Sequence, residues 1–274
     1  MKRNGKAKKV KTGIILSKFL LKFHIDIRRK LFKEIIDEFG GNLRIIIYGS
    51  APSNLDVIRF FRDIGIEMIQ GYGLTEASPI VAVENDKYQR IGSVGQVNYY
   101  DDVKIINKDE NGIGEIIVKG PNVMIGYYEN PKLTKEVIKK GYLHTGDLGY
   151  LDKDGYLYIT GRKKDMIVLS NGTKVFPQEL ESLINKSRYI EESFVYSIDQ
   201  EKLSCKIVYS KRNEMLLNKS KEEIYEIIKN EIGKVNLLVP SYKVIKNISI
   251  TTEPLAKTTT QKIKRYLEMK RLEK

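Results

Sequence analysis

Four short strings between Gly71 and Gly172 concentrate side chains that could do chemistry. In Gly71-Tyr-Gly-Leu-Thr-Glu76, glycines let backbone approach a ligand, Tyr72 offers a flat face and Thr75 a hydroxyl. Glu76 adds a hard oxygen of the kind Mg2+ takes. Tyr142-Leu-His-Thr-Gly-Asp147 ends in a carboxylate, which only accepts hydrogen bonds when ionised. Gly161-Arg-Lys-Lys-Asp165 sets three cations in a row, and Ser170-Asn-Gly172 follows as a small polar segment. Near the C-terminus, Lys257-Thr-Thr-Thr-Gln-Lys-Ile-Lys-Arg265 brings several cationic groups close together.

Elements must hold these residues in place. Arg44–Tyr48 is a short apolar run, 53–64 has helical spacing with Val57, Phe60 and Phe61 inward, and Glu67–Gln70 is a second strand. Strand, helix and strand of these lengths predict a βαβ unit in a parallel sheet. Tyr48-Gly-Ser-Ala-Pro52 and Gly71–Glu76 then both sit at C-terminal ends of parallel strands, where open α/β sheets bind ligands. Taken alone, Ser50, Ala51 and Pro52 read first as a tight strand-to-helix turn, and Asp147 as a turn or cap residue after Gly146.

Beyond residue 90 short strands alternate with the turn strings Asp109-Glu-Asn-Gly112 and Asp152-Lys-Asp-Gly155, predicting an antiparallel or distorted-barrel region. From about Lys164, helix and strand signals alternate again, starting with a proline-led helix at Pro177 and ending with a helix from Gln261. The expected organisation is a basic tail and amphipathic helix over 1–40, an α/β part with its antiparallel region over 41–162, and a small α+β domain over 163–274. Residues 1–12 read as a disordered tail, and Ile15, Phe19, Phe23, Ile27, Leu31 and Ile35 follow at helical spacing.

The 274-residue chain carries a net charge of +13, with 41% hydrophobic and 30% charged residues. Its ends are basic: Lys and Arg outnumber Asp and Glu by 12 to 4 over 1–40 and by 9 to 3 over 241–274. Such ends can attract a polyanion or an anionic membrane surface, and are as often simply solvated. No aromatic residues interleave the N-terminal lysines, so nucleic acid is not an expected partner. One cysteine and two histidines exclude an internal disulfide and a zinc site built from His and Cys alone. No run is long and apolar enough to span a bilayer, and a cytoplasmic protein, with peripheral membrane contact allowed by the basic ends, is the expectation.

The five strings in this order resemble the adenylate-forming enzymes, a superfamily of acyl-CoA synthetases, adenylation domains and luciferases. The Thr-Thr-Thr run and Asn236-Leu-Leu-Val-Pro-Ser-Tyr-Lys243 look like its long-chain fatty acyl-CoA synthetase branch. The resemblance covers the C-terminal half of such enzymes: part of the large adenylating domain, then the C-terminal lid domain. It implies a fatty acid, ATP, Mg2+ and CoA as reactants and cofactors. It assigns Ser50, Ala51 and Pro52 to the adenine pocket, with Gly71 and Gly73 flanking Tyr72, which stacks on the purine. Thr75 would meet the α-phosphate and Glu76 the Mg2+ ion. Asp147 would accept from both ribose hydroxyls, with Arg162 adding a ribose or phosphate contact. Lys164 falls at the hinge of the lid, Ser170, Asn171 and Gly172 at the CoA tunnel, and Lys262 at the lysine that meets charge developing during adenylation. Lys257, Lys264 and Arg265 are expected to face solvent or the CoA phosphates.

Before Tyr48 there is no Gly-rich, Ser/Thr-rich segment of the kind that clasps the β- and γ-phosphates in this superfamily. Two readings follow: a ligase fragment that needs a complementing N-terminal half, or a non-catalytic remnant that binds AMP or CoA. Both predict an exposed apolar strand edge where the parallel sheet lacks neighbours.

Overall fold

Gly40 and Gly41, both at positive φ (81° and 76°), stop the first helical stretch and release the chain into its first strand. The computed structural model describes residues 2–49, 55–85, 88–210, 212–259 and 262–272. The stretch before Gly40 is three helices: α1 (Lys2–Leu21), α2 (Arg28–Leu31) and α3 (Lys33–Asp37). Helix α1 starts at Lys2, inside the stretch expected to be a disordered tail. Lysine, arginine and alanine are good helix formers, and Ile14 gives the helix a packing anchor.

The predicted helical face is corrected as well. Ile15, Phe19 and Phe23 are 70%, 56% and 62% exposed, whereas Phe32 and Ile36 are buried together with Ile64 and Ile66. His24, at φ 60°, breaks the helix after α1, so spacing counted across it does not describe one face.

Strand β1 (Ile45–Tyr48), helix α4 (Leu55–Asp63) and strand β2 (Glu67–Gly73) form the expected βαβ unit. β1 and β2 pair in parallel from Ile45 opposite Glu67 to Tyr48 opposite Gln70. In α4 it is Ile58 that is buried, while Val57 is 41% exposed. Strands β3 (Ile80–Val83) and β4 (Gln96–Val97) continue the sheet antiparallel, in the order β1-β2-β3-β4. β1 is therefore an edge, and it carries Ile47 at 75% exposure. The exposed apolar edge expected from the sequence is present.

A second sheet, ordered β5-β6-β8-β7 with β9 on β8, is built from β5 (Asp102–Ile106), β6 (Gly114–Lys119), β7 (Ile138–Lys139), β8 (Tyr142–Leu151) and β9 (Leu157–Arg162). Helix α5 (Pro131–Val137), capped by the Asn130 side chain on the Leu133 N–H, lies between β6 and β7. Both predicted turns form as aspartate-closed loops. Asp109 accepts from the Asn111 and Ile113 N–H groups, and Asp152 from those of Asp154 and Tyr156.

The C-terminal part begins with a hairpin of β10 (Ile167–Val168) and β11 (Lys174–Val175), followed by α6 (Pro177–Ile184). Strands β12 (Glu192–Tyr196), β13 (Leu203–Val208) and β14 (Ile245–Thr251) make a sheet in which β12 is antiparallel and β14 parallel to β13. Helix α7 (Lys221–Asn236) opens with a capping box between Ser220 and Glu223, and α8 (Arg265–Leu272) closes the described chain. Leu180, Ile184, Leu203, Ile207 and Ile228 form its buried centre. Cys205 lies in the same core, as strand packing predicts, and burial pushes its thiol up.

The result is the expected mixed α/β architecture: a parallel strand pair, an antiparallel sheet and an α+β C-terminal part. The chain divides into two compact units, one of residues 1–103, 118–143 and 151–158, the other of 104–117, 144–150 and 159–274. No helix among the described residues is long and apolar enough to cross a membrane.

Candidate active site

In the first unit β2 delivers Gly71, Tyr72 and Gly73 against β3, with the register shifting between Tyr72 and Gly73. The shift brings the two backbones close. A Cβ at Gly73 would lie 1.7 Å from the Pro79 carbonyl oxygen, whereas one at Gly71 would sit 3.6 Å from its nearest neighbour. Gly73 is thus demanded by packing, and Gly71 is left for another purpose. We expect Gly73→Ala to destabilise the protein by about 2–3 kcal/mol. Gly71→Ala should cost under about 1 kcal/mol, since the backbone there has room. Denaturant unfolding of both variants checks this, and equal costs would contradict it.

The chain then makes a 3-10 turn, Thr75–Ala77, with Thr75 exposed and Glu76 half-buried. Tyr127 donates its hydroxyl to Glu76 Oε1 at 2.8 Å, and the Glu76 carbonyl accepts from the Met124 N–H. Burial and the Glu76 carboxylate together hold the Tyr127 phenol above its ordinary value. The Tyr127 backbone is in turn fixed by Thr134 Oγ1 at 2.9 Å. A single oriented carboxylate fits Mg2+, which is commonly held by one or two carboxylates plus phosphate and water. Sequence reasoning missed Tyr127; its pairing spans 51 residues and leaves no local pattern. Ser50, Ala51 and Pro52 lie outside the described residues.

In the second unit Asp147 is not in a turn. It sits in the middle of the ten-residue strand β8 and is 4% exposed. Arg162, at the end of β9, places Nε 2.7 Å from Asp147 Oδ1. Thr145 Oγ1 receives the Asp147 N–H and donates to the Ile116 carbonyl, which pins this part of β8 to β6. Thr145, Gly146, Arg162, Lys163 and Lys164 line one open cleft. Lys163 is engaged by Glu115 at 3.1 Å, with His144 Nδ1 3.7 Å from the same carboxylate. The cleft therefore gathers cations, and through Arg162 it adjoins the buried Asp147 carboxylate, a combination suited to a sugar hydroxyl next to a phosphate.

Lys164 lies in a 3-10 turn, Lys163–Asp165, directly after β9. Ser170, Asn171 and Gly172 form the tip of the β10–β11 hairpin, with Gly172 at φ 80° and the Asn171 side chain accepting from the Thr173 N–H. Lys262 is exposed, and among the described residues it makes no ion pair. Two of its neighbours depart from expectation. Lys257 pairs with Glu192 at 2.5 Å, and Arg265, with a side chain only 15% exposed, pairs with buried Glu181 and donates to the Val195 carbonyl. Burial pushes the Glu181 carboxyl up, against the pull of Arg265. Arg265 is turned inward because buried Glu181 needs a partner, and Lys257 is held by the partly buried Glu192.

Two family models match the chain: the AMP-binding enzyme over residues 6–128 and the AMP-binding enzyme C-terminal domain over 164–274. The chain belongs to the AMP-binding enzyme family. Glu76 falls in the first matched segment, Lys164 and Lys262 in the second, and Asp147 and Arg162 between them. It is 30% identical over 268 residues to a 2-succinylbenzoate–CoA ligase of Geobacillus, covering 94% of this chain and 50% of the relative. It is 39% identical over 159 residues to a long-chain-fatty-acid–CoA ligase of Salmonella typhimurium, covering 56% of this chain and 28% of the relative. Among solved structures, O-succinylbenzoate coenzyme A synthetase of Bacillus subtilis in complex with ATP and magnesium ion matches with a TM-score of 0.68 at 25% identity. That match covers 87% of this chain and 49% of the synthetase. The chain spans half or less of the length of these curated relatives.

Proposed function

We propose that this chain is the C-terminal part of an AMP-forming acyl-CoA ligase whose substrate is a long-chain fatty acid. The substrate carboxylate attacks the α-phosphorus of ATP, the α–β phosphoanhydride breaks and pyrophosphate leaves. CoA thiolate then attacks the acyl carbonyl and AMP leaves, giving the thioester. The observation that carries this reading is the buried Asp147 carboxylate paired with Arg162, a cation that lines an open cleft together with Lys163 and Lys164. Such a carboxylate suits the ribose hydroxyls, with Arg162 next to the phosphate.

Tyr72, flanked in sequence by Gly71 and Gly73, would stack on adenine, and Ser50, Ala51 and Pro52 are the further adenine-pocket residues of this reading. Thr75 would meet the α-phosphate. Glu76, oriented by Tyr127, would hold Mg2+, which when bound neutralises phosphate charge as the leaving group departs. Lys262 would stabilise the charge developing on carboxylate and phosphate. Lys164 would be the pivot on which the C-terminal part turns between half-reactions, with Ser170, Asn171 and Gly172 near pantetheine. An N-terminal half would supply the phosphate loop and the acyl pocket, and cover the β1 edge.

A second reading, a nucleotide-binding remnant without turnover, is compatible with the same exposed β1 edge. Calorimetry with AMP, together with ATP–pyrophosphate exchange after joining a complementing N-terminal half, separates the two. We expect AMP binding that Asp147→Ala weakens by about 2 kcal/mol, the cost of losing a hydrogen bond to a charged group. Exchange dependent on fatty acid supports the ligase, and AMP binding without exchange supports the remnant. No AMP binding, or binding indifferent to Asp147, rejects both.

A further inference from the structure

We infer that Glu192 and Glu268 are positioning residues for Lys262: two carboxylates that clamp the loop carrying it, so that its ammonium stands on a backbone already in place. The inference rests on the reading of Lys262 given above. Glu268, on α8, is fully buried. Its Oε1 accepts from the Ala256 N–H at 2.8 Å and from Arg271 at 2.7 Å, and its Oε2 from Lys206 of β13 at 3.0 Å. Glu192, on β12, accepts from the Leu255 N–H at 2.9 Å and from Lys257 Nζ at 2.5 Å. Two consecutive loop N–H groups, neither in a sheet ladder, are thus each met by a carboxylate that is itself paired to a lysine.

The loop also closes on itself. Lys257 and Ile263 form an antiparallel bridge, and the Thr258 N–H donates to the Lys262 carbonyl at 2.8 Å. The Lys262 N–H returns to Thr258 Oγ1 at 3.1 Å, and the Lys264 N–H donates to the Ala256 carbonyl at 2.7 Å. Arg265, docked on Glu181 and the Val195 carbonyl, anchors the far end.

Burying a carboxylate is costly unless it is both paired and hydrogen-bonded. A position that had only to fill the core beside Leu255 and Met269 would be apolar. Carboxylates give direction, and here both point at the loop backbone. Although burial opposes ionisation of Glu268, the Ala256 N–H and Lys206 outweigh it and hold the carboxyl below its usual range. The outcome is an exposed lysine whose backbone is tied to Thr258, next to Leu255 and Ala256 held by carboxylates, the arrangement that stabilises developing charge without reorganising when it appears.

Hydrogen exchange followed by mass spectrometry on the full chain tests the clamp. In Glu192→Ala we expect amides of 255–264 to exchange about tenfold faster or more, while β13 and α7 keep their protection, as local opening requires. Glu192→Gln, which keeps one acceptor for the Leu255 N–H, should recover part of the protection. Glu268→Gln should show the same local pattern. Acceleration throughout the C-terminal unit would reduce both residues to ordinary stabilising contacts and overturn the inference, as would no change in the loop. In ATP–pyrophosphate exchange with the complementing half, Glu192→Ala should lower kcat about tenfold with the KM for ATP little changed, the signature of lost alignment. If Lys262→Ala lowers exchange and Glu192→Ala does not, the clamp fails alone. If Lys262→Ala is also without effect, the reading of Lys262 fails, and hydrogen exchange still decides the clamp.

Discussion

Replacing Lys262 with alanine, in the chain joined to a complementing N-terminal half, lowers ATP–pyrophosphate exchange by roughly 10²–10³-fold, the usual cost of removing one preorganised group that meets developing charge. Thioester formation from supplied acyl-adenylate stays near its original rate, because the charge Lys262 meets belongs to adenylation. The structure gives the reason for so large an effect from one exposed side chain. Lys262 makes no ion pair among the described residues, while nearby Lys257 and Arg265 are both engaged by carboxylates. Its removal leaves no buried partner behind, so the loss reads as chemistry and not as unfolding. Exchange within about threefold of the parent would reject the assignment, since that is under 1 kcal/mol of barrier.

The second large effect is on stability. Ile228 on α7 has no exposed surface and belongs to the cluster with Leu180, Ile184, Leu203 and Ile207. Truncation to alanine removes three carbons from a site closed by α6 and the β12–β13–β14 sheet, and costs about 2–5 kcal/mol. In a unit of this size that lowers Tm by roughly 10 °C or more. Tyr266→Ala, at a position 63% exposed on α8, stays within about 0.5 kcal/mol. Melting curves followed by circular dichroism compare the two. Equal losses would mean that Ile228 does not lie in a cooperative core.

The order of elements was legible in the chain because its causes are local. Two aspartate-closed turns, a proline at the start of α6, and apolar runs bounded by glycine act over fewer than ten residues, and each formed where its residues predict. The helical face before Gly40 was misread for an equally local reason, the break at His24 that periodicity alone does not reveal. The five strings were recognisable because backbone approach, stacking and hard-oxygen chemistry each call for particular residue types.

What those side chains touch was settled only by tertiary structure. Asp147 looks like a turn residue until β8 pairs with β6 and buries it against Arg162. Glu76 gains its orientation from Tyr127, and the loop of Lys262 gains its clamp from a glutamate 63 residues before Leu255. Such pairs carry no periodic trace, because a buried charge is matched across whatever stretch of chain the fold brings alongside it. Residue types and turns determined what chemistry the chain could hold; long-range burial, which makes an unpaired charge expensive, decided which groups stay free to perform it.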